Sequence, residues 1–228
     1  MTISERKERE KELRRMQIIT AAENLFFRSG YDHVSMEEIA RAAELSKGTI
    51  FFYFKNKETL FITIVLRGIR LFYEMVSDAC EKYSDSPSDQ LRTMGEVVIM
   101  FSREYPGYLS AIRLFKSGRF SLEKQSETGE ETREILQYSR RLSGFMENIV
   151  REGIQKRVFR DDIDPIELGI IIRMLTGSVM DINPEIRWML REHTISEEKI
   201  IDTFFTLMTS MIAGKKTSDI NPDMREYL

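Results

Sequence analysis

Apolar residues recur along most of this chain at the three- and four-residue spacing of an amphipathic helix. Runs of β-branched residues that alternate with polar ones, the pattern of a half-buried strand, are absent from the sequence. The five prolines all lie where helical patterns end or are joined, at Pro87, Pro106, Pro165, Pro184 and Pro222. The pattern therefore predicts an all-α protein.

The first apolar stripe lies near the N-terminal end. Ile18, Ala22 and Phe26 share one helical face, and Gly30 supplies a C-terminal stop, so we expect this helix to end near Ser29. The segment before it, residues 4–15, mixes charges of both signs at the spacing of helical ion pairs. We interpret it as a solvated helix start, with proximity to a polyanion as the alternative.

Two further helix starts follow within a few residues of each other. Ser35 and Glu38 form a capping box, which predicts a second helix from Met36 to about residue 43. After residues 44–45, Ser46 can act as the N-cap of a third helix. Two short helices joined by so tight a turn are a helix-turn-helix.

The third helix carries more aromatic rings than its own fold can bury. At about 100° per residue, Ile50 and Phe54 face the first helix, and six residues form the rest of the surface. These six are Lys47, Gly48, Thr49, Phe51, Phe52 and Tyr53. A buried aromatic cluster is the alternative, but it would need apolar cover on every side of a two-turn helix. An exposed aromatic and basic face suits the major groove of DNA, where rings contact thymine methyl groups.

Phosphate contacts are expected on both sides of this face. Thr49 and Tyr53 offer hydroxyl groups, and a fourth helix starts at Lys57. An ammonium group and free backbone amides therefore come together where a phosphate would sit.

Residues 18–61, IITAAENLFFRSGYDHVSMEEIARAAELSKGTIFFYFKNKETLF, resemble the N-terminal domain of TetR-family transcriptional regulators. The shared pattern is L-F-x-x-x-G-Y, a serine or threonine cap, I-A, A-G-V-S-K-G-T-hydrophobic-Y-x-Y-F and K-x-x-L. The resemblance implies groove contacts from Lys47, Gly48, Thr49 and Phe52, and phosphate contacts from Ser35, Tyr53 and Lys57. Phe51 stands where the family usually has tyrosine, and Glu44 where the turn usually has glycine. A left-handed backbone at Glu44 would cost about 1 kcal/mol.

Longer helical patterns fill most of the remaining chain. We expect a DNA-binding domain at residues 1–57, a helical ligand-binding and dimerisation domain at 58–214, and a loosely held tail at 215–228. The resemblance implies the same arrangement, and residues 118–131 are expected to form a loop.

The patterns at residues 164–182 and 196–214 are apolar around much of the helix circumference. Such helices either fill the core of their own domain or form an intersubunit four-helix bundle. We favour the bundle, as the resemblance also implies. Its predicted interface residues are Ile166, Ile170, Gly177, Met180, Phe204, Met208 and Met211.

Methionine and aromatic residues gather in the middle helices. Such a stripe is more often ordinary core, but adaptable methionines beside rings also suit an apolar pocket. Arg173, inside IIIRML, needs an anion, a carbonyl or water; a partner in the interface or its own helix is favoured over a ligand carboxylate. The candidate ligand-binding residues are Met94, Met100, Phe101, Tyr105, Phe115, Phe145, Met146 and Arg173.

Composition narrows the classes of function. The net charge is −3, but residues 1–57 hold 11 basic against 9 acidic residues, or +2, and residues 58–228 the remaining −5. The chain has 2 histidines and 1 cysteine, which offer no metal-ligand cluster, and neither a phosphate-binding loop nor a nucleophile elbow occurs. We expect no enzyme activity, no cofactor and no metal.

The combined prediction is a cytoplasmic, ligand-responsive transcriptional regulator. It binds a palindromic DNA operator as a homodimer, acts as a repressor, and is released by a small apolar or amphipathic effector. The alternatives are a helical membrane-surface or adaptor protein and, less favoured, an enzyme. The acidic chain and the balanced charges of residues 4–15 argue against a membrane surface.

Overall fold

The computed structural model describes residues 2–83, 85–120, 129–179, 182 and 184–213. All regular secondary structure in these ranges is helical, which confirms the predicted all-α fold. The helices are α1 (Ile3–Ser29), α2 (Met36–Ala42), α3 (Lys47–Tyr53), α4 (Lys57–Glu81), α5 (Pro87–Glu104), α6 (Pro106–Leu114), α7 (Glu130–Gln155), α8 (Pro165–Val179), α9 (Pro184–Glu192) and α10 (Glu197–Ala213). A five-residue π-helical turn, Phe115–Arg119, follows α6. Met180 and the predicted tail at 215–228 lie outside the described residues.

The helix starts at the N-terminal end have the predicted caps. The Ser35 side chain accepts a hydrogen bond from the Glu38 amide, and the Glu38 carboxylate accepts one from the Ser35 amide at 2.7 Å. Ser46 caps α3 by accepting from the Thr49 amide at 3.1 Å. Because each cap satisfies a backbone donor that the helix leaves free, helix boundaries could be placed from sequence.

The turn between α2 and α3 contains a strained residue. Glu44 has a φ of 53°, so its backbone is left-handed and carries the cost of about 1 kcal/mol given above. The Leu45 amide donates to the Ala40 carbonyl and the Glu44 amide to the Arg41 carbonyl. This pair of bonds is a Schellman motif, which satisfies the last carbonyls of α2 at the cost of the Glu44 backbone strain.

The three N-terminal helices enclose an apolar core. Ile18, Ile39 and Ile50 are each 0 % exposed and Phe54 is 2 % exposed, as their helical spacing predicted. Gln17 of α1 donates to the Ala43 carbonyl at 2.8 Å and so fixes α1 against the turn that leads into α3. α3 is therefore held from behind by buried apolar contacts.

The described chain divides into two compact units. The first comprises residues 1–74 and 101–139, and the second residues 75–100 and 140–228. α4, α5 and α7 each contribute residues to both units. This division is by compactness alone, and the predicted functional division at residue 57 stays a prediction.

In the first unit, α6 lies directly on α1 and α4. The ring of Tyr108 covers Gly68 of α4 so closely that an added Cβ would lie 2.9 Å from the ring. In the same way the ring of Phe27 covers Gly107 of α6. The two rings meet edge to face at 5.1 Å. The N-terminal end of α6 is thus fitted against both α1 and α4.

In the second unit, α8 packs against α10. The Thr176 hydroxyl donates to the sulfur of Met208 at 4.0 Å, and Ile172 and Met208 are 1 % and 4 % exposed. Phe205 of α10 also packs on Gly95 of α5. Among the described residues, the core of this unit therefore uses one side of α8 and of α10.

Two details differ from the sequence analysis. α9 was not predicted, because its nine residues hold a single buried apolar side chain, Leu190, and give too short a pattern. In the charged segment of α1, the four-residue spacing indicated pairs of Glu5 with Arg9 and of Glu10 with Arg14. The structure instead pairs Arg6 with Glu10 at 3.1 Å and Lys11 with Glu8 at 3.6 Å. Within the described ranges, the helices are all too short or too polar to cross a bilayer.

Candidate nucleic-acid interface

α3 presents two contrasting faces. Ile50 and Phe54 are buried, whereas Phe51 is 43 % exposed and Phe52 is 75 % exposed. Lys47 and Gly48 are exposed as predicted, and Thr49 and Tyr53 are half-buried. The rings of Phe52 and Tyr53 meet edge to face at 5.2 Å. The fold therefore exposes a large apolar ring that a solvated surface helix would not need.

Among the described residues, nothing packed around Gly48 requires glycine at this position. It lies inside a helix, and an added Cβ would come no closer than 3.8 Å to another atom, the Ser46 hydroxyl. Glycine inside a helix costs about 0.5–1 kcal/mol relative to alanine. A close approach by another molecule is a physical reason for accepting that cost.

Lys47 is paired within the chain. Its ammonium group donates to the Glu37 carboxylate of α2 and lies 5.9 Å from the centre of the Phe51 ring. The hydrogen bond from Lys47 holds the pKa of Glu37 below its usual value. Both side chains are more than half exposed, so a phosphate can compete with Glu37 for Lys47.

The hydroxyl groups on this surface also have partners. Ser35 Oγ donates to the Glu38 carboxylate at 2.8 Å, and Thr49 Oγ1 lies 2.8 Å from Ser46 Oγ. Hydrogen bonds from Ser35 lower the pKa of Glu38, first that of its amide and then that of its hydroxyl. A phosphate contact by Ser35 or Thr49 would therefore exchange an existing hydrogen bond for a new one.

Lys57 has a structural position that the sequence did not reveal. Its ammonium group donates to the carbonyls of Tyr31 at 2.9 Å and Val34 at 3.0 Å, and lies 4.2 Å from the centre of the Tyr31 ring. These contacts tie the start of α4 to the segment between α1 and α2. Two of the three ammonium protons are thus used inside the chain.

Lys55 was missed as a candidate contact. It is exposed in the connection between α3 and α4, next to Asn56, whose side chain caps α4 by accepting from the Thr59 amide at 2.8 Å. The signal in the sequence was the second lysine of the FKNK segment. Lys55 offers a more accessible cation beside α3 than Lys57 does.

An open cleft of about 480 Å³ lies beside the exposed end of α3. Its lining includes Ser35, Glu37, Phe51 and Lys57 together with Asp32 and Glu38. Carboxylates outnumber cations on these walls, so the cleft itself does not form an anion-binding site.

The candidate ligand-binding residues are distributed over both units. In the first unit, Phe101 and Phe115 are 2 % and 3 % exposed, and Tyr105 is half-buried. In the second, Met94 is buried, Phe145 and Met146 are half-buried, and Met100 is 41 % exposed. Arg173 is exposed and donates to the Ser143 hydroxyl at 2.6 Å. Their assignment to an effector stays a prediction.

The predicted dimer face is partly exposed in the single chain. Ile166, Ile170 and Met211 are 48 %, 53 % and 58 % exposed, and Gly177 is exposed. Phe204 is half-buried and Met208 is buried in its own unit. Exposed apolar neighbours extend the face, namely Ile171, Met174 and Leu207.

Comparison with known proteins identifies the segment that contains α2 and α3. The sequence pattern of bacterial regulatory proteins of the tetR family matches residues 18–64. The fatty acid metabolism regulator protein of Bacillus subtilis (strain 168) is 22 % identical over 201 residues, covering 88 % of this chain and 96 % of that protein.

Two solved structures share the fold over most of their length. FadR from Bacillus subtilis in complex with stearoyl-CoA aligns with a TM-score of 0.62 at 21 % identity, covering 86 % of this chain and 98 % of that one. AibR in complex with isovaleryl coenzyme A and operator DNA aligns with a TM-score of 0.61 at 24 % identity, covering 88 % and 98 %. α2 and α3 form the helix-turn-helix within the matched segment, so residues 18–64 of this chain resemble the DNA-binding domain of tetR-family transcriptional regulators in both sequence and fold.

Proposed function

We propose that this protein is a transcriptional repressor that binds a palindromic operator as a dimer and is released by an acyl-coenzyme A thioester. The observation that carries the DNA-binding part is the outer face of α3, where Phe52 is 75 % exposed beside Lys47 and Gly48. A helix of this kind enters the major groove, and a dimer presents two of them about 34–36 Å apart.

The effector class is supported by relatives. The FadR structure holds stearoyl-CoA, the AibR structure holds isovaleryl coenzyme A, and the Bacillus subtilis relative regulates fatty acid metabolism. An acyl-coenzyme A joins an apolar chain to a charged head, which fits the amphipathic effector expected from the methionines and rings of the middle helices. Phe101, Phe115 and Met94 are the buried members of that set.

The proposed release mechanism uses α4. This helix begins at Lys57, beside the predicted phosphate contacts, and runs to Glu81. An effector that favours one position of α4 would change the separation of the two α3 helices in a dimer. Coupling of this kind is typically worth about 1–3 kcal/mol, which corresponds to a roughly 5- to 150-fold loss of operator affinity.

The experiment begins with selection of an operator from a random duplex library by the full-length protein. Fluorescence anisotropy then measures operator affinity during titration with isovaleryl-CoA and stearoyl-CoA, with free coenzyme A and free stearate as controls. The expected result is a 5- to 150-fold weaker operator affinity with one of the two thioesters. Because linkage is reciprocal, operator DNA must weaken binding of that thioester by the same factor.

Two outcomes would overturn parts of the proposal. Gly48→Leu should abolish selection of a specific operator while the protein stays folded, so unchanged binding by this variant would exclude the assigned face of α3. A thioester that binds free and operator-bound protein equally would exclude acyl-coenzyme A as the releasing effector.

A further inference from the structure

The first helix continues well beyond the family-specific segment. The matched pattern starts at residue 18, but α1 starts at Ile3 with a complete capping box between Thr2 and Glu5. Residues 2–14 are all exposed. At about 1.5 Å per residue, the helix from Ile3 to Gln17 is about 21 Å long. We call residues 3–14 the α1 extension.

The base of the α1 extension is fixed beside α3. Gln17 donates to the Ala43 carbonyl at 2.8 Å, in the turn that precedes α3. The Arg15 guanidinium lies 5.2 Å from the centre of the Phe54 ring, at the other end of α3, and 3.7 Å from Glu131. The α1 extension therefore continues a packed helix and begins at a position beside α3.

Charge in the α1 extension is sorted by face. Lys7, Lys11 and Arg14 are four and three residues apart, and Ile18 follows four residues later on the same face. Ile18 is 0 % exposed and packs into the DNA-binding core, so this basic stripe lies on the side of α1 that faces α2 and α3. Glu5, Glu8 and Glu12 repeat at three and four residues on another face.

The basic stripe retains charges that no described acidic residue neutralises. Lys11 pairs with Glu8, but among the described residues neither Lys7 nor Arg14 has an acidic partner. A solvated extension would gain more from mixed pairs on every face, as Arg6 and Glu10 show. Two unpaired cations on the face toward the recognition helix match the charge of a DNA backbone.

We propose that Lys7 and Arg14 contact phosphates of the operator beyond the base pairs that α3 reads. This inference rests on the proposed operator binding and adds a DNA-contacting surface outside the matched residues 18–64. The extension is long enough to cross from the major groove, about 12 Å wide, to the backbone on its far side. Contacts of this type lengthen the footprint and raise salt dependence without reading sequence.

The test compares two double variants with the same charge change. Lys7→Gln with Arg14→Gln removes the two unpaired cations of the basic stripe. Arg6→Gln with Arg9→Gln removes two cations from another face of the same segment. Each affinity is measured at several salt concentrations on the selected operator, once with long flanking duplex and once with the flanks trimmed.

The proposal expects a face-specific loss. Each phosphate contact contributes about 0.9 to the slope of log affinity against log salt, so a dimer that loses four contacts should lose about 3–4 from its slope. The Arg6/Arg9 variant should lose less than 1, and trimming the flanks should remove the difference between wild type and the Lys7/Arg14 variant. All three proteins should select the same operator.

Equal losses in both variants would overturn the proposal in favour of a general charge effect. An unchanged slope for the Lys7/Arg14 variant on the long duplex would place the extension away from DNA. Both results require that the wild-type protein binds its selected operator. If the proposed function itself failed, the wild-type protein would select no operator, so the two failures are distinguishable.

Discussion

Two lysines at the start of α4, Lys55 and Lys57, differ in the contacts of their ammonium groups. Lys57 donates to the Tyr31 and Val34 carbonyls and lies over the Tyr31 ring. Lys55 is exposed beside the Asn56 cap. A cation already held by two carbonyls gains little from a phosphate unless it leaves them. We therefore infer that Lys55 contributes more than Lys57 to phosphate binding, and that Lys57 contributes more than Lys55 to the stability of the fold.

Alanine substitution should separate these roles. Lys55→Ala should leave thermal stability unchanged and lower the salt slope of operator binding by about 2 for a dimer, one contact in each subunit. Lys57→Ala should cost about 1–3 kcal/mol of unfolding free energy, since it removes two charge-assisted hydrogen bonds and a cation–π contact. Denaturant titration and salt-dependent anisotropy check both variants. A larger slope change for Lys57→Ala would restore its assignment as the main phosphate contact.

The contrast shows which residue roles sequence can reveal. Ser35 and Ser46 were predicted as caps because their partners lie three residues away, where spacing fixes geometry. The left-handed backbone at Glu44 was raised as a condition by the family resemblance, not by spacing. The partners of Lys57 lie 26 and 23 residues away, and nothing in the local pattern points to them. The exposure of Phe52 was predictable for another reason, since Ile50 and Phe54 already take the inner face of a two-turn helix.

At the scale of elements, a buried carboxylate joins three helices of the first unit. Glu23 of α1 is 8 % exposed and accepts a hydrogen bond from the Tyr108 hydroxyl of α6 at 2.7 Å. Arg67 of α4 lies 3.0 Å from the same oxygen. Burial raises the pKa of Glu23, against the opposing effects of Tyr108 and Arg67. Burial and the bond to Glu23 also raise the pKa of Tyr108.

Removing the Tyr108 hydroxyl should destabilise the protein in a pH-dependent way. Tyr108→Phe deletes a hydrogen bond that lowers the pKa of Glu23, so that pKa should rise further. A carboxyl group with a raised folded-state pKa stabilises the folded state below its unfolded pKa, and this contribution is lost as pH rises through the folded pKa. We expect a loss of about 1.5–3 kcal/mol at pH 7–8, typical of a bond to a charged group, and about 1 kcal/mol near pH 4.

Denaturant titrations at both pH values check this prediction. Tyr105→Phe is the matched control, because that ring lies 6.4 Å from the Tyr108 ring and also belongs to the start of α6. It should change stability by less than about 0.5 kcal/mol at either pH, because it removes a hydroxyl from a neighbouring ring and leaves the Tyr108–Glu23 bond in place. If Tyr108→Phe lowered the unfolding free energy equally at both pH values, the hydrogen bond from Tyr108 would not depend on ionisation of Glu23.

Sequence predicted elements better than the contacts among them. α5, α7, α8 and α10 follow from long apolar stripes bounded by proline or polar caps. The close packing of Tyr108 on Gly68 could not be predicted, because each residue lies in an ordinary helical pattern of its own. Arg173 was expected to need a partner, but Ser143 lies 30 residues away in α7.

At the scale of the whole molecule, one side of α8 and α10 is left uncovered by the described residues of the second unit. Ile170, Met174, Leu207 and Met211 are between 53 % and 66 % exposed, while Ile172 and Met208 fill the inner side. A face this apolar is typical of a protein–protein interface. Two copies related by a twofold axis would bury it in a four-helix bundle, which supports the proposed dimer.

Two glycine substitutions test this assembly with the same chemical change. An added Cβ at Gly177 of α8 or at Gly144 of α7 meets no described atom within 4 Å, so a side chain can begin at either position without a clash of its Cβ. Replacing helical glycine should also stabilise each subunit slightly, by up to about 1 kcal/mol. Only Gly177 belongs to the predicted dimer face, where a twofold axis would bring two unpaired carboxylates into an apolar bundle.

Gly177→Glu should therefore weaken dimerisation at least about 100-fold, the equivalent of roughly 3 kcal/mol, whereas Gly144→Glu should leave it unchanged. Sedimentation equilibrium over a dilution series measures both dissociation constants. Operator affinity should fall in parallel for Gly177→Glu alone, because a monomer delivers one α3 helix to a site built for two. If the Gly177→Glu protein dimerised as tightly as wild type, the interface would have to lie away from α8 and α10. If both variants weakened the dimer equally, the loss would not depend on this face.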